Sequence, residues 1–175
     1  EGGGMPGERE SLKRVDGSAN GSGEQLLRLA HYKHEVLGRP RQATGAYLRA
    51  IEALEREGSR ALLGRCASPM WATASYFYAK CLADEGAWEG GGAEAAAKTA
   101  AAIDVLQRVV EQHPKHAAAK VLLAELLAKT FPMNVDEPLG LLKGALADDG
   151  LSPRAMMAML RVEAMRLSPM QDWAA

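Results

Sequence analysis

Residues that favour β-strands are scarce in this chain of 175 residues. Valine, isoleucine and threonine together supply 14 residues, whereas alanine supplies 32 and leucine 22. Because strands draw heavily on β-branched residues, this deficit excludes most all-β and parallel-sheet folds. Alanine and leucine lose little rotamer freedom in a helix and are the best apolar helix formers. The composition therefore predicts an all-α protein.

Cysteine is scarce, and the chain has neither a charge excess nor a long apolar run. The two cysteines, Cys66 and Cys81, form no CxxC motif and lie among apolar residues, so we expect reduced thiols in the core. Twenty-one Lys and Arg against 22 Asp and Glu disfavour a general nucleic-acid binder. No apolar run approaches the ~20 residues of a membrane-spanning helix. The chain shows no leader resembling a signal peptide, and we expect an intracellular protein, cytoplasmic or organellar.

Motifs of enzymes and metal sites are absent as well. The glycine run 90–92 lacks the Lys and Ser or Thr of a phosphate-binding loop, and no strand precedes it. No GxSxG elbow and no HExxH pair occurs. His31 and His34 lie three residues apart, as do His113 and His116, but neither pair has the further ligands that a closed zinc site needs. We therefore predict no enzymatic activity, no cofactor and no metal site.

Glycine and proline divide the chain into segments. Residues 1–23 hold seven glycines and are expected to form a flexible N-terminal segment, followed by a helical domain at 24–167 and a C-terminal tail at 168–175. Ser68-Pro69 and Ser152-Pro153 each combine a helix N-cap with a proline at the first helical position. Apolar periodicity between such signals predicts seven helices in an antiparallel array, near residues 24–37, 40–57, 69–85, 93–113, 115–130, 136–147 and 153–167.

Apolar spacing also predicts which faces of these helices are buried. The expected stripe of the first helix is Leu26, Leu29, Ala30 and Val36, and that of the second is Ala43, Tyr47, Ala50, Ile51 and Leu54. In the third helix, Gly86 is expected to end the helix. In the last helix, Met156, Met159 and Leu160 are expected to face the core together.

A repeat pattern emerges from the aromatic and small residues. Trp71, Ala74, Ser75 and Tyr78 lie at the spacing of the tetratricopeptide pattern W-x2-L-G-x2-Y, with Ala in place of Leu and Ser in place of Gly. The partner-helix half of that pattern, an Ala followed four residues later by an aromatic residue, occurs at Ala43. A weaker echo begins at Ala102, further along the chain than the family spacing.

On these residues the chain resembles the tetratricopeptide-repeat family over residues 24–167. The resemblance implies antiparallel helix-turn-helix repeats stacked as a TPR-like α-solenoid, with about three helix pairs and a C-terminal capping helix. Armadillo- or HEAT-like helix pairs are the nearest alternative. The resemblance further implies recognition of a protein or peptide along a concave face.

Six residues are candidates for contact with that partner. Arg28 and Tyr32 match inner-helix positions that the family uses, although no Asn completes the carboxylate clamp of one subgroup, which is disfavoured. Tyr76, with Lys80 four residues later, could form a small amphipathic surface, the alternative being ordinary packing against a neighbouring repeat. In the methionine-rich last helix, Met157 and Met165 could form a contact stripe, the alternative being a helix that only caps the array.

These observations favour a non-catalytic protein–protein interaction scaffold or adaptor. It would bind its partner through the concave face or the methionine-rich C-terminal helix. The alternative is a structural subunit built permanently into a large multiprotein or ribonucleoprotein assembly. An RNA-binding helical repeat is a weaker third interpretation, because the balanced charge argues against it. The sequence leaves the identity of the partner and the oligomeric state open.

Overall fold

The computed structural model describes residues 21–60, 68–88, 92–150 and 152–167. Over these ranges the chain is helical and contains no strand, so the predicted all-α class is confirmed. The elements are α1 (Gly23–His31) with a π-helical turn after it (Tyr32–Val36), α2 (Pro40–Arg60), α3 (Pro69–Trp88), α4 (Ala93–Gln112), α5 (Ala117–Thr130), α6 (Asp136–Asp148) and α7 (Pro153–Leu167). The tail 168–175, most of the N-terminal segment 1–23 and Cys66 lie outside the described residues.

The chain divides into two compact units, and each packs around its own helices. Unit 1 spans Glu1–Lys98 and unit 2 spans Thr99–Ala175, with the division inside α4. In unit 1, α1 packs on α2 and α2 packs on α3. In unit 2, α5 packs on α6, and α7 packs on both. From α1 to α3 and from α5 to α7, helices that follow each other in the chain are therefore neighbours in space, as in a helix-turn-helix repeat.

Serine side chains cap the helix starts that the sequence indicates. Ser22 and Gln25 form a capping box, in which the Ser22 hydroxyl accepts from the Gln25 backbone N–H at 3.3 Å and the Gln25 side chain accepts from the Ser22 N–H at 3.1 Å. The Ser68 hydroxyl accepts from the backbone N–H of Met70 at 3.2 Å. The Ser152 hydroxyl accepts from that of Ala155 at 3.4 Å. Both serine-proline start signals are therefore confirmed.

Small residues allow the helices of unit 1 to approach closely. Ala43 and Ala50 of α2 and Ala74 of α3 are completely buried. At Gly23 the approach is closer still, since an added Cβ would lie 2.5 Å from Leu54 Cγ. The Gly23 backbone N–H also donates to Glu57 Oε1 at 2.9 Å. The contact between α1 and α2 thus depends on a position without a side chain.

Unit 2 is built around one apolar cluster to which its last three helices contribute. Leu142 of α6 is completely buried in it. The other buried members are Val121, Ala124, Ala128, Leu139, Ala145, Ala155, Ala158 and Val162. Lys120 Nζ and Asp148 Oδ2 form an ion pair at 2.6 Å that joins α5 to the end of α6. The core of unit 2 is therefore shared by α5, α6 and α7.

Two of the expected helix faces are wrong in part. Val36 was expected in the buried stripe of the first helix but is 57% exposed, because the π-helical turn adds a residue per turn and rotates the following side chains outward. In α7 the buried face is Ala155, Ala158 and Val162, whereas Met156 and Leu160 point outward. The expected face of α2, from Ala43 to Leu54, is buried as predicted.

The predicted end of the third helix is also wrong. Gly86 does not end α3, which continues to Trp88. Gly86 is buried inside the helix, where packing offsets the roughly 1 kcal/mol by which glycine disfavours a helix interior. Trp88, two residues after the predicted end, is therefore part of the helix.

Candidate functional site

The four candidate contact residues of unit 1 lie in different environments. Arg28 is exposed on α1 and forms an ion pair with Glu24 at 2.7 Å. Tyr32 is half-buried in the π-helical turn, and Lys80 is half-buried on α3. Tyr76 is 9% exposed and its ring lies edge-on to a neighbouring phenylalanine, so little of it is available to a partner. Contact of these four residues with a partner stays a prediction.

The two candidates of unit 2 lie on exposed parts of α7. Met157 is 52% exposed and Met165 is 42% exposed. Met157 belongs to an uncharged face that we call the α7 outer face, and Met165 lies beside it, separated by Arg161. The outer face consists of Pro153, Met156, Met157, Leu160 and Ala164, all exposed and spaced three or four residues apart along the helix.

A cleft lies between the start of α2 and the end of α3. It has a volume of about 530 Å³ and is lined by residues 38–42 together with Asp84, Glu85 and Trp88. Gly38 has a φ of +58°, a left-handed conformation that glycine adopts without strain, and this turns the chain from the π-helical turn into α2. The Arg39 backbone N–H donates to the Lys33 carbonyl at 3.0 Å and closes the turn. We call this site the α2–α3 cleft.

The charges around the α2–α3 cleft are unevenly satisfied. Glu85 accepts a hydrogen bond from the Thr44 hydroxyl at 2.6 Å and lies 3.3 Å from Lys98 Nζ, with 12% of its side chain exposed. Arg39 and Arg41 are exposed, and within the described ranges neither guanidinium forms an ion pair. Glu85 therefore shares Lys98 with Glu94, which lies 3.4 Å from the same Nζ, while the two cations of the cleft form no ion pair within the described ranges.

Behind α1 lies a cluster of histidine and aromatic rings. The Tyr47 hydroxyl lies 3.1 Å from His31 Nδ1 and 3.4 Å from His34 Nδ1. The Phe77 ring stacks on Tyr47 and meets His31 edge-on. A tyrosine hydroxyl donates one hydrogen bond and accepts others, so it serves both imidazoles only while at least one of the two nitrogens can accept. In this arrangement at least one of the two Nδ1 atoms therefore accepts from the Tyr47 hydroxyl.

Burial changes the pKa of several groups in and near this cluster. Desolvation lowers the pKa of His31 below its usual value, with nearby His34 acting in the same direction and Glu35 opposing it. Desolvation raises the pKa of Tyr47 well above its usual value. It also raises the pKa of the Cys81 thiol to about 11. Cys81 therefore stays protonated at neutral pH and is a poor nucleophile.

Protonation of His31 is expected to destabilise the fold as the pH falls. Because the folded pKa of His31 lies below its unfolded value, the unfolded chain binds more protons between the two values. Stability is thus complete above about pH 6.5 and decreases as the pH falls through the folded pKa. The same sign holds for His116, whose pKa is lowered by burial and whose Nδ1 accepts from the Ala119 N–H.

Urea unfolding between pH 5 and 8 measures this dependence. We expect the wild-type chain to lose more stability below pH 6.5 than the double variant His31→Gln, His116→Gln. Identical pH profiles for the two proteins would contradict the assignment of this dependence to the two histidines.

Metal and membrane chemistry have little support in the described ranges. No group of three or more His, Cys, Asp and Glu side chains in residues 21–60, 68–88, 92–150 and 152–167 is placed to hold a metal ion. Among the helices of that part of the chain, none combines the length and the apolar character needed to cross a membrane.

Comparison with known proteins identifies the fold. No protein-family model matches the chain. No curated protein matches it either. The solved structure of MamA, a TPR-like protein, matches with a TM-score of 0.54 at 17% sequence identity, covering 94% of this chain and 89% of that one. The fold is TPR-like. At this identity the match concerns the fold alone, and it agrees with the resemblance seen in the repeat pattern.

Sequence reasoning did not find the α2–α3 cleft. Its two sides are more than 40 residues apart in the chain, so no local pattern joins them. Two arginines flanking Pro40 at a helix start were a visible signal, because basic residues are unfavourable near the positive end of the helix dipole. Two arginines at a helix start therefore indicate a role in binding and not in stabilising the helix.

Proposed function

We propose that this protein is a non-catalytic protein–protein interaction scaffold or adaptor that binds a partner through the α7 outer face. The observation that carries the proposal is the run of exposed, uncharged side chains from Pro153 to Ala164 on the last described helix. Met157 is 52% exposed and Leu160 is 62% exposed. Contiguous exposed apolar surface of this kind marks sites of protein–protein contact.

The TPR-like fold supports the same role. Helix pairs stacked in chain order leave long surfaces that serve recognition. Methionine is flexible and polarisable, and it is over-used on surfaces that adapt to a binding partner. The methionines that point outward from α7 are thus suited to contact with an apolar partner helix.

A crosslinking pull-down from the native source tests this proposal. We compare the wild-type chain with the double variant Met157→Glu, Leu160→Glu, which places two charges in the α7 outer face. Burying an unpaired charge in an interface removes at least ~2 kcal/mol of binding, so capture of the partner should fall about 30-fold or more. A titration of each purified variant with the purified partner gives the dissociation constant.

The matched control is Leu48→Glu on α2, where the wild-type leucine is 40% exposed and lies in unit 1. It introduces the same chemical change without touching α7, and capture should stay at the wild-type level. Equal capture by the wild type and the α7 double variant would overturn the assignment of the face. Recovery of no partner, together with turnover of a small molecule, would overturn the scaffold role.

A permanent assembly subunit is the second candidate function, and the same apolar face favours it. Obligate interfaces are more hydrophobic than transient ones. The two functions differ in the behaviour of the isolated chain. An adaptor should remain monodisperse alone and release its partner in dilute solution. A permanent subunit should aggregate alone and should be recovered from the native source in fixed stoichiometry.

A further inference from the structure

The α2–α3 cleft has the dimensions of a binding site. Its volume of about 530 Å³ falls within the range of roughly 300–1,000 Å³ that is typical of ligand pockets. One wall is the turn and first residues of α2, and the other is the C-terminal end of α3. Since α2 and α3 pack directly on each other, both walls stand on the same helix pair. The cleft is therefore held by the core of unit 1.

Trp88 gives the cleft an apolar contact surface. Its side chain is 88% exposed at the end of α3, although tryptophan is a residue that burial strongly favours. An exposed indole offers a large flat surface and one N–H donor. Tryptophan is also the residue type most enriched among those that dominate binding energy in interfaces. Trp88 is thus placed to receive an apolar or aromatic side chain.

The charged side chains that line the cleft favour a ligand with a net charge of one sign. Arg39 and Arg41 line it without an ion pair in the described part of the chain, and they stand at the positive end of the α2 dipole. On the opposite wall, Glu85 already pairs with Lys98, which it shares with Glu94, and accepts a hydrogen bond from the Thr44 hydroxyl. Asp84 is the one remaining carboxylate among the residues that line the cleft. Two available cations against one available anion favour an acidic ligand.

We propose that the α2–α3 cleft binds a short acidic peptide segment of a partner protein, with an apolar or aromatic side chain against Trp88 and flanking carboxylates on Arg39 and Arg41. Guanidinium groups pair with carboxylates through two parallel hydrogen bonds, which lysine cannot reproduce. The proposal rests on the interaction role argued above, but it uses a surface in unit 1 that shares no residue with the α7 outer face.

Fluorescence anisotropy with three labelled peptides tests the charge selection. The first is an eight-residue peptide with one central phenylalanine between glutamates, and the second has lysine in place of every glutamate. The third keeps the glutamates and has serine in place of phenylalanine. We expect the first peptide to bind the full chain most tightly. Its affinity should fall as salt rises, because exposed ion pairs are screened.

Variants of the cleft locate the binding. Arg39→Glu and Arg41→Glu should each weaken the first peptide about tenfold, since a favourable charge pair becomes a repulsive one. Trp88→Ala should weaken it by about tenfold or more, as expected for an aromatic interface residue. Arg161→Glu is the matched control, because Arg161 is an exposed arginine of α7. The affinity of this variant for the first peptide should equal that of the wild type. Circular dichroism confirms that each variant is folded.

Three outcomes would overturn the proposal. One is that no peptide binds, and another is that the lysine peptide binds as tightly as the glutamate peptide, which would show that the cleft does not select by charge. The third is wild-type affinity in Arg39→Glu and Trp88→Ala. The double variant Met157→Glu, Leu160→Glu should bind the peptide normally. Failure of the cleft proposal and failure of the α7 proposal are therefore separate results.

Discussion

Replacing Trp71 with alanine is expected to lower the free energy of unfolding by about 3–5 kcal/mol, the range for a tryptophan or phenylalanine removed from a core. Trp71 is 1% exposed on α3, and its indole Nε1 donates to Glu55 Oε1 of α2 at 3.2 Å. The truncation therefore leaves a cavity between two packed helices and removes a hydrogen-bond donor from Glu55. Urea unfolding followed by far-ultraviolet circular dichroism measures the change.

Ser75→Ala is the control for this result, because Ser75 lies one turn further along α3 and is equally buried. The Ser75 hydroxyl has no hydrogen-bond partner among the described residues, so its removal deletes a desolvated polar group rather than a contact. Removing an unsatisfied buried hydroxyl, which leaves the alanine methyl group, is expected to be neutral or stabilising. If the two variants lost equal stability, the packing described for Trp71 would be incorrect.

Replacing Leu142 with alanine is expected to cost about 2–5 kcal/mol in unit 2, the range for buried leucines. Leu142 is completely buried in the cluster that α5, α6 and α7 share. Loss of its side chain should weaken all three contacts together. Hydrogen exchange followed by mass spectrometry should therefore show faster exchange in peptides from α5, α6 and α7.

The matched substitution is Leu160→Ala, since Leu160 is 62% exposed on α7. An exposed leucine contributes little to stability, and this variant should stay within about 0.5 kcal/mol of the wild type. A cost for Leu160→Ala as large as that for Leu142→Ala would show that the α7 outer face is covered in the folded chain. That result would also remove the basis of the proposed partner contact.

Local signals in the sequence predict most of the fold. Serine followed by proline marks the starts of α3 and α7, since the hydroxyl caps the helix and proline loses no hydrogen bond at its first position. Alanine at positions 43, 50 and 74 marks close helix contact, and all three side chains are completely buried. These features depend on residues within one or two turns of each other, which is the range that a sequence pattern reports.

The errors arise where packing decides between local alternatives. Gly86 would end an isolated helix, but burial against neighbouring residues keeps α3 helical to Trp88. In α7, Ala155 and Ala158 face the core because small side chains allow α6 to approach, and this leaves the larger Met156 outside. A hydrophobicity pattern ranks methionine and leucine above alanine for burial, and therefore selects the wrong face.

The candidate site was less accessible to sequence reasoning than the fold. Met157 could be assigned to an exposed stripe from its spacing along one helix. The α2–α3 cleft could not be assigned, because it requires the turn after Gly38 and the end of α3 to meet in space. Its cationic character further depends on Lys98, which pairs with Glu85, and on Thr44, which donates a hydrogen bond to that carboxylate. Contacts between distant segments carry this information, and no local pattern encodes them.

The pairing of helices in chain order has a consequence for biosynthesis. The helix contacts of unit 1 join α1 to α2 and α2 to α3, and in unit 2 α5 packs on α6 while α7 packs on both. Chains with such low contact order fold rapidly, because little loop entropy is lost before each contact forms. The helix pairs of unit 1 are complete once Lys98 has left the ribosome. They can therefore form while the α7 outer face is still being synthesised.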